Sequence, residues 1–326
     1  MIRFLFLLFL AVECSALSIV FVHIGPTLPS YLPIALKQAR LFNPDAALYL
    51  IANEEALANP SQELKEALPF YVSCESLSKS KYHRQFIKKS KLAKHPQKGF
   101  WRITTERFFY LAELMKEHNL TEVFHLENDV MLYTELEELL PIFKTHYSNR
   151  IGATFDSDER CIPGFLYLST YAPIKQLVHF VAQQADKGWN DMKFISRFKD
   201  QYQGIWIDHL PVLMPQYAID HELISPIGSR GEHPGYFSLH FDQFSSIFDA
   251  AALGQFLGGI DPFHGPSTPG FINERCIFNP SHFTFEWRID EQGRKVPFAI
   301  YRGQVSKINN LHIHSKDLKK FYSGNP

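Results

Sequence analysis

The residues best suited to chemistry are two acids one position apart, Glu127 and Asp129, within residues 121–138, TEVFHLENDVMLYTELEE. An apolar run, VFHL, leads into them and a second, VMLY, leads away. A short apolar run of this kind reads as a buried strand. Side chains two apart on extended backbone share a face, so both carboxylates would point the same way. Charge at the end of an interior strand is costly unless it is paired. A hard divalent cation, magnesium or manganese, would make the arrangement favourable. The plainer alternative is a solvated strand end with Asp129 closing a turn. Thr134 with Glu137 three residues later has the form of a capping box and predicts a helix starting there.

A second candidate segment lies near the C-terminus, INNLHIHSKDLKKF. Alternation places Leu311 and Ile313 on one side of a strand and Asn310, His312 and His314 on the other. Two imidazoles thus share a face with Lys316 close by. Solvent-exposed histidines ahead of a basic turn are the alternative.

The elements that must position these groups follow from pattern. LSIVFVHIG, residues 17–25, reads as a buried strand, IALKQARLF as a helix stopped by Asn43-Pro44, and AALYLIANE as a second strand. SQELKEAL follows an Asn59-Pro60 start signal. Alternating strands and helices predict a parallel sheet flanked by helices. Ligands in such sheets bind at the carboxyl ends of strands, where His23 and Asn53 fall. FWRITTERFFYLAELMKEH has apolar residues at helical spacing, with Arg107 read as lying at its start. RIGATFD and GFLYLST read as strands around a polar loop at residues 156–160, and NDMKFISRF as a helix opened by Asn190-Asp191. FDAAALGQFLGG reads as a helix capped by Asp249, and HFTFEWRID and PFAIYRG as a hairpin joined by EQGRK.

Composition bounds the rest. The chain has 326 residues, 45% hydrophobic and 14% aromatic, with 29 Phe and a formal charge of −1. That supports a sizeable core and gives no global field for nucleic acid. Residues 76–105 hold nine Lys or Arg and no acid, which reads as a solvated face or one that attracts anions. One Arg and nine apolar residues, 4–12, followed by small residues, predict a secretory leader over residues 1–17, with cleavage near Ala16 or retention as a short anchor. The expected location is secreted, or membrane-associated through the N-terminus. Cys74, Cys161 and Cys276 have neither zinc spacing nor a disulfide framework, and are expected as buried thiols.

FHLENDVMLY resembles the acid-x-acid strand of GT-A glycosyltransferases, and HIHSK resembles their late His-Lys segment. The resemblance implies an α/β, Rossmann-type, mostly parallel sheet with an irregular acceptor-side half. A single domain would span 18–326, with a nucleotide-binding half at about 18–135 and an acceptor half at about 136–326. It implies transfer of a sugar from a nucleotide-diphospho-sugar, first of all a UDP-sugar, to a hydroxyl on a glycan, glycolipid or protein. Asp129 would bind Mn2+ or Mg2+. Glu127, where the family usually has Asp, would contact the ion or the ribose. His312 or His314 would complete the coordination, and Lys316 would bind the diphosphate. Arg107 would contact donor, with His23 and Asn53 near the base and ribose. Gly164 would line the sugar pocket, and Asp191 would face the sugar. Asp191 or Asp261 would serve as base in an inverting reaction, and retention is equally allowed; Asp249, Gln255 and Asp261 would lie on the acceptor side. Two other readings use the same residues: a metal-dependent phosphoester hydrolase, and a catalytically inactive sugar- or nucleotide-binding module.

Overall fold

The computed structural model describes residues 17–94 and 99–324. All of the expected leader except Leu17 lies outside the described residues. No described helix is long and apolar enough to cross a membrane.

The first strand, β1 (Ser18–Val22), is buried along its whole length. A continuous apolar run is what a strand covered on both faces needs. Helix α1 (Leu32–Phe42) leads to β2 (Ala47–Ala52), and α2 (Glu54–Leu57) and α3 (Gln62–Glu66) lead to β3 (Phe70–Ser73). Helices α4 (Lys81–Lys89) and α5 (Phe100–Glu117) precede β4 (Val123–Leu126). Then come β5 (Val130–Leu132), α6 (Leu136–His146), β6 (Ile151–Ser157), β7 (Arg160–Leu168), α7 (Tyr171–Gln183), α8 (Asp191–Gln201) and β8 (Ile207–His209). Seven of these strands form one sheet in the order β3-β2-β1-β4-β7-β6-β8, in which only β7 runs antiparallel to its neighbours. The fold is therefore α/β with a mostly parallel sheet, as the alternating pattern implied. Strand order reverses between β1 and β4, which opens a crevice at their carboxyl ends.

The remaining chain is α9 (Pro215–Asp220), α10 (Phe241–Phe244), β9 (Ser246–Ile247), α11 (Ala252–Gly258), β10 (Thr284–Ile289), β11 (Lys295–Tyr301), β12 (Gln304–Ile308) and β13 (Asn310–His312). A second sheet has the order β10-β11-β12-β9, and β13 pairs antiparallel with β5. The EQGRK hairpin forms as expected. Cys74, Cys161 and Cys276 are buried free thiols.

Aromatic packing ties α6 to the main sheet. The Phe124 ring meets Phe143, Tyr167 and Phe165 at centroid distances of 5.1, 5.2 and 6.0 Å. Full burial of each such side chain contributes about 1.5–3 kcal/mol.

Three local expectations are corrected. The Thr134–Glu137 capping box does not form: α6 has no side-chain cap from its own residues. Asn43, at the end of α1, takes the role by accepting the Leu136 N–H (2.8 Å) and donating to the Thr134 carbonyl (3.0 Å). The polar loop at 156–160 is mostly strand, because Asp156 is buried and accepts from Arg160 Nε (2.9 Å) across the hairpin. Arg107 does not start its helix. Gly99, at φ 81°, opens α5, so Arg107 lies about two turns inside.

One buried ionic cluster helps dock α4 on α5. His83 is fully buried, with Nε2 3.0 Å from Glu106 and Nδ1 3.1 Å from Glu113. Burial opposes its charge, but the two carboxylates outweigh it and raise its pKa above the ordinary 6.5. Stability from this proton is fully present below about pH 6.5 and is lost as pH rises through the raised folded value. His83→Ala should cost about 3 kcal/mol, because Glu113 loses its one cation while Glu106 keeps only Arg102. In thermal melts the gap between wild type and His83→Gln should be widest below pH 6.5 and narrow at alkaline pH. A constant gap from pH 5.5 to 9 would contradict the charged state.

Candidate functional site

The main-chain route explains how the acids are presented. β4 ends at Leu126 and the chain turns over Glu127-Asn128-Asp129, closed by Val130 N–H donating to the Glu127 carbonyl (3.0 Å). Glu127 N–H donates to Gly164 on β7 (3.0 Å). β5 then pairs with β13, setting His312 opposite Val130, and Ile313 N–H donates to the Asp129 carbonyl (2.9 Å). Residues from two distant parts of the chain thus meet at the carboxyl end of β4.

There His312 Nε2 lies 3.2 Å from Asp129 Oδ1 and 3.3 Å from Glu127 Oε2. Lys316 Nζ pairs with Asp129 Oδ2. Its backbone is left-handed at φ 65°, a conformation that costs about 1–2 kcal/mol outside glycine. Arg107 Nη2 bridges Glu127 Oε1 (2.5 Å) and Asp191 Oδ2 (3.0 Å). Asp191 is the first residue of α8; Asn190 caps that helix by accepting from Lys193 N–H.

The protonation states follow from this geometry. Burial works to raise the Asp129 pKa, but His312 and Lys316 hold it well below the usual carboxylate range. Burial likewise opposes Glu127, and Arg107 and His312 bring its pKa down. Burial raises Asp191 despite Arg107. His312 is raised because Asp129 and Glu127 overcome its burial. His314 and the fully buried His125 are both pushed down to about 4, chiefly by burial, and are neutral. In this arrangement Glu127, Asp129 and Asp191 face Arg107, Lys316 and His312.

The donor set fits a hard divalent ion. Ligand atoms of Glu127, Asp129 and His312 all lie within 4.8 Å of one another. Two carboxylates and an imidazole suit magnesium or manganese better than a softer metal that selects thiolates. A dication in place of the His312 proton would leave the cluster with one excess positive charge, complementary to an anion.

Close approach fixes His312. A Cβ on Gly164 would come within 2.9 Å of His312 Nδ1, and one on Gly254 within 2.1 Å of the His312 carbonyl. Asp249 holds the same residue from behind. Its carboxylate accepts the N–H groups of Leu253 (2.9 Å), Gly254 (2.9 Å) and His312 (3.0 Å). Burial outweighs these bonds and raises its pKa to about 6. Asp249 caps α11 as expected, but it is buried, so it is a positioning group for His312 and not an acceptor-facing one.

The other candidates lie as follows. His314 has its ring centroid 5.5 Å from that of His312, and its Nδ1 is buried without a partner. His23 follows β1, 3.4 Å from Asn128 Nδ2, with Nε2 unpartnered and burial lowering its pKa. Asn53 is occupied: Oδ1 accepts Gly25 N–H (2.8 Å) and Nδ2 donates to Glu75 (2.6 Å). Gln255 accepts from Asn273 (3.1 Å). Asp261 lies on a turn after α11, accepting Phe263 N–H (2.9 Å). Tyr31 went unnoticed in the sequence; its ring centroid is 5.7 Å from Lys316 Nζ, and no motif marks it.

No family model matches the chain, and no curated protein matches it. Solved structures do. Mouse xyloside xylosyltransferase 1 is similar at 13% identity with a TM-score of 0.42, covering 63% of this chain and 90% of that one. The galactosyltransferase LgtC, in complex with donor and acceptor sugar analogs, is similar at 15% identity and TM-score 0.41, covering 68% and 84%. A cytidylyltransferase from Leptospira borgpetersenii is similar at 10% identity and TM-score 0.37, covering 60% and 76%. Likeness at this level assigns no residue a role.

Asp249→Ala should destabilise the fold by about 2–4 kcal/mol, since three buried N–H groups lose their acceptor. Urea denaturation measures this. A cost below about 0.5 kcal/mol would show that Asp249 does not anchor the His312 segment.

Proposed function

We propose that the protein is a glycosyltransferase acting on a nucleotide-diphospho-sugar donor and a hydroxyl acceptor. The carrying observation is the Glu127–Asp129–His312 cluster, backed by Lys316 and Arg107, at the carboxyl ends of β1 and β4 where strand order reverses. The resemblance of FHLENDVMLY and HIHSK to the GT-A acid-x-acid and late His-Lys segments supports the same reading.

Transfer breaks the bond between the anomeric carbon and the donor phosphate oxygen. The diphosphate leaves with the bonding pair, and the acceptor oxygen bonds to carbon as its proton departs. A Mn2+ or Mg2+ ion held by Asp129, His312 and Glu127 would supply neutralisation of the leaving diphosphate. Lys316 exchanges Asp129 for a phosphate oxygen as donor enters, giving a charge-assisted hydrogen bond. Arg107, oriented by Asp191 and Glu127, adds fixed positive charge where negative charge grows. Asp191 is engaged by Arg107, so it orients that guanidinium and does not take a proton. Asp261 retains an oxygen unengaged among the described residues and is the candidate base. Buried Asn128 Oδ1 and neutral His23 Nε2, both without partners, offer hydrogen bonds to ribose or base.

A metal-dependent phosphoester hydrolase would use the same triad, which is the one such cluster among the described residues and so offers no second metal site. The acceptor is a glycan, a glycolipid or a protein.

Titration with UDP, GDP and CMP compounds, with and without manganese, tests the reading. One nucleotide diphosphate should bind in a manganese-dependent way, and Asp129→Ala should lower that affinity at least about a hundredfold. Lys316→Ala and Arg107→Ala should each lower it about tenfold, as expected for loss of one hydrogen bond to a charged group. Absence of binding by folded protein would sink the active transferase and favour the inactive module. Gly164→Ala, which pushes on the His312 ring, should weaken manganese binding about tenfold by calorimetry with the melting temperature of the apoprotein little changed. Unaltered manganese affinity would remove His312 from the ligand set.

A further inference from the structure

The opposite end of the sheet carries a second feature that the transfer reaction does not use. A cleft of about 730 Å³ opens between α4, α5 and α7. Five cations line it, Lys79, Lys81, Arg84, Lys116 and Lys175, against two carboxylates, Glu113 and Glu117. Both carboxylates are already engaged. Glu113 accepts from Ser80 N–H (2.8 Å) and pairs with His83, and Glu117 accepts from Ser78 N–H (2.7 Å). None of the five cations has a carboxylate partner within ion-pair distance among the described residues. The acid-free run at residues 76–105 therefore supplies an unneutralised patch. Its row continues up the exposed side of α4 through Lys88.

Topology sets this cleft at the far edge from the acidic cluster. Lys116 ends α5 just before β4 begins, and Lys175 lies in α7 just after β7, whose Leu168 pairs with Val123 at the start of β4. Glu127 follows the other end of β4.

Apolar residues are exposed beside the same edge. Leu68 is 72% and Phe70 59% exposed, at the start of the edge strand β3. Leu68 has φ 51°, an unusual backbone state for a bulky, largely exposed side chain. Phe70 touches Tyr49 (5.3 Å between centroids), and Tyr49 approaches His118 (6.2 Å), the residue after Glu117 of the cleft. A line of ring contacts thus leads from Phe70 to the residue beside Glu117, at the same end of the sheet as the cations.

We propose that this edge docks on an anionic lipid bilayer, with headgroup phosphates at Lys79, Lys81, Arg84, Lys116 and Lys175 and with Leu68 and Phe70 entering the interface. Cations near an anionic membrane surface each contribute about a fivefold gain in binding, and exposed apolar side chains insert at the headgroup boundary. A soluble polyanion would use the cations alone and would leave Leu68 and Phe70 without a role.

Full-length protein is sedimented with vesicles of 30% (roughly) phosphatidylglycerol in phosphatidylcholine and with phosphatidylcholine alone. The apolar run at residues 4–12 would bind both, so the reading is the difference between them. Wild type should prefer the anionic vesicles, and the preference should weaken with salt. Lys81→Ala/Arg84→Ala/Lys175→Ala should lower anionic-vesicle binding by about a hundredfold, and Leu68→Ser/Phe70→Ser by about tenfold, both with unchanged melting temperatures. Equal binding to both vesicle types, or a preference untouched by the triple variant, overturns the proposal. Binding of inorganic pyrophosphate that depends on the three cations, with no preference for anionic vesicles, overturns it in favour of a soluble ligand. If the triple variant lowers the melting temperature, single charge reversals at exposed Lys81 and Lys175 replace it, and lack of effect from both refutes the site.

Discussion

Three carboxylates and three cations sit at the end of β4, and most of them are withdrawn from water. An unpaired charge at such a position would cost several kcal/mol, so each member constrains the others. Arg107 cannot serve Glu127 without α5 reaching the crevice, and α8 must deliver Asp191 to the other side of the same guanidinium. Lys316 adopts a left-handed backbone to reach Asp129, and the ion pair offsets that local strain. The carboxylates and cations of the cluster thus hold one another in place.

His312 is where the sheet architecture and this electrostatic requirement meet. It belongs to a three-residue strand paired with β5, a weak element by itself. Its position is set instead by close backbone packing against Gly254 and by the Asp249 carboxylate, which ties the start of α11 to the His312 N–H. Gly164 leaves the ring room on the opposite side. Short strands held by buried polar bonds and glycine contacts can place an imidazole as firmly as a long strand would, because every alternative position either collides or orphans a buried group.

What could be read from the chain follows the range of the interactions. The apolar runs of β1, β2 and β4 are local signals, and they predicted the α/β sheet; Glu127 and Asp129 do converge, but through a turn closed by the Val130 N–H and not by strand alternation. Alternation likewise paired His312 with His314. The failures are long-range. Asn43 caps α6 from 93 residues away, and no pattern around Thr134 reveals it. The helix that carries Arg107 begins at Phe100, directly after the left-handed Gly99, so Arg107 lies about two turns inside it and not at its start. Asp249 reads as a helix cap on the acceptor side, and its depth cannot be read locally because it depends on β13, whose His312 N–H donates to its carboxylate. Tyr31 lies beside Lys316 through the loop after β1, and aromatic residues are too common for that proximity to stand out.

The acidic cluster and the basic cleft lie at opposite strand ends of one mostly parallel sheet, which has a geometric consequence. A five-residue strand spans roughly 17 Å, and the turns and helix ends add to that separation. If the basic edge rests on a bilayer, the crevice faces away from that surface by at least the length of β1. An acceptor whose hydroxyl lies at the headgroup level of the same leaflet would then be out of reach. The two readings together favour an acceptor that projects well beyond the membrane, such as the distal end of a long glycan or a hydroxyl on a protein, over a short glycolipid. They also separate two uses of positive charge that a single count of Lys and Arg merges. At the crevice Arg107 is buried and Lys316 half-buried, and both are matched against carboxylates. At the far edge they are exposed and unmatched. Matched charge orients a reacting group at short range, whereas unmatched charge acts on a large anionic surface and is screened by salt within about 10 Å.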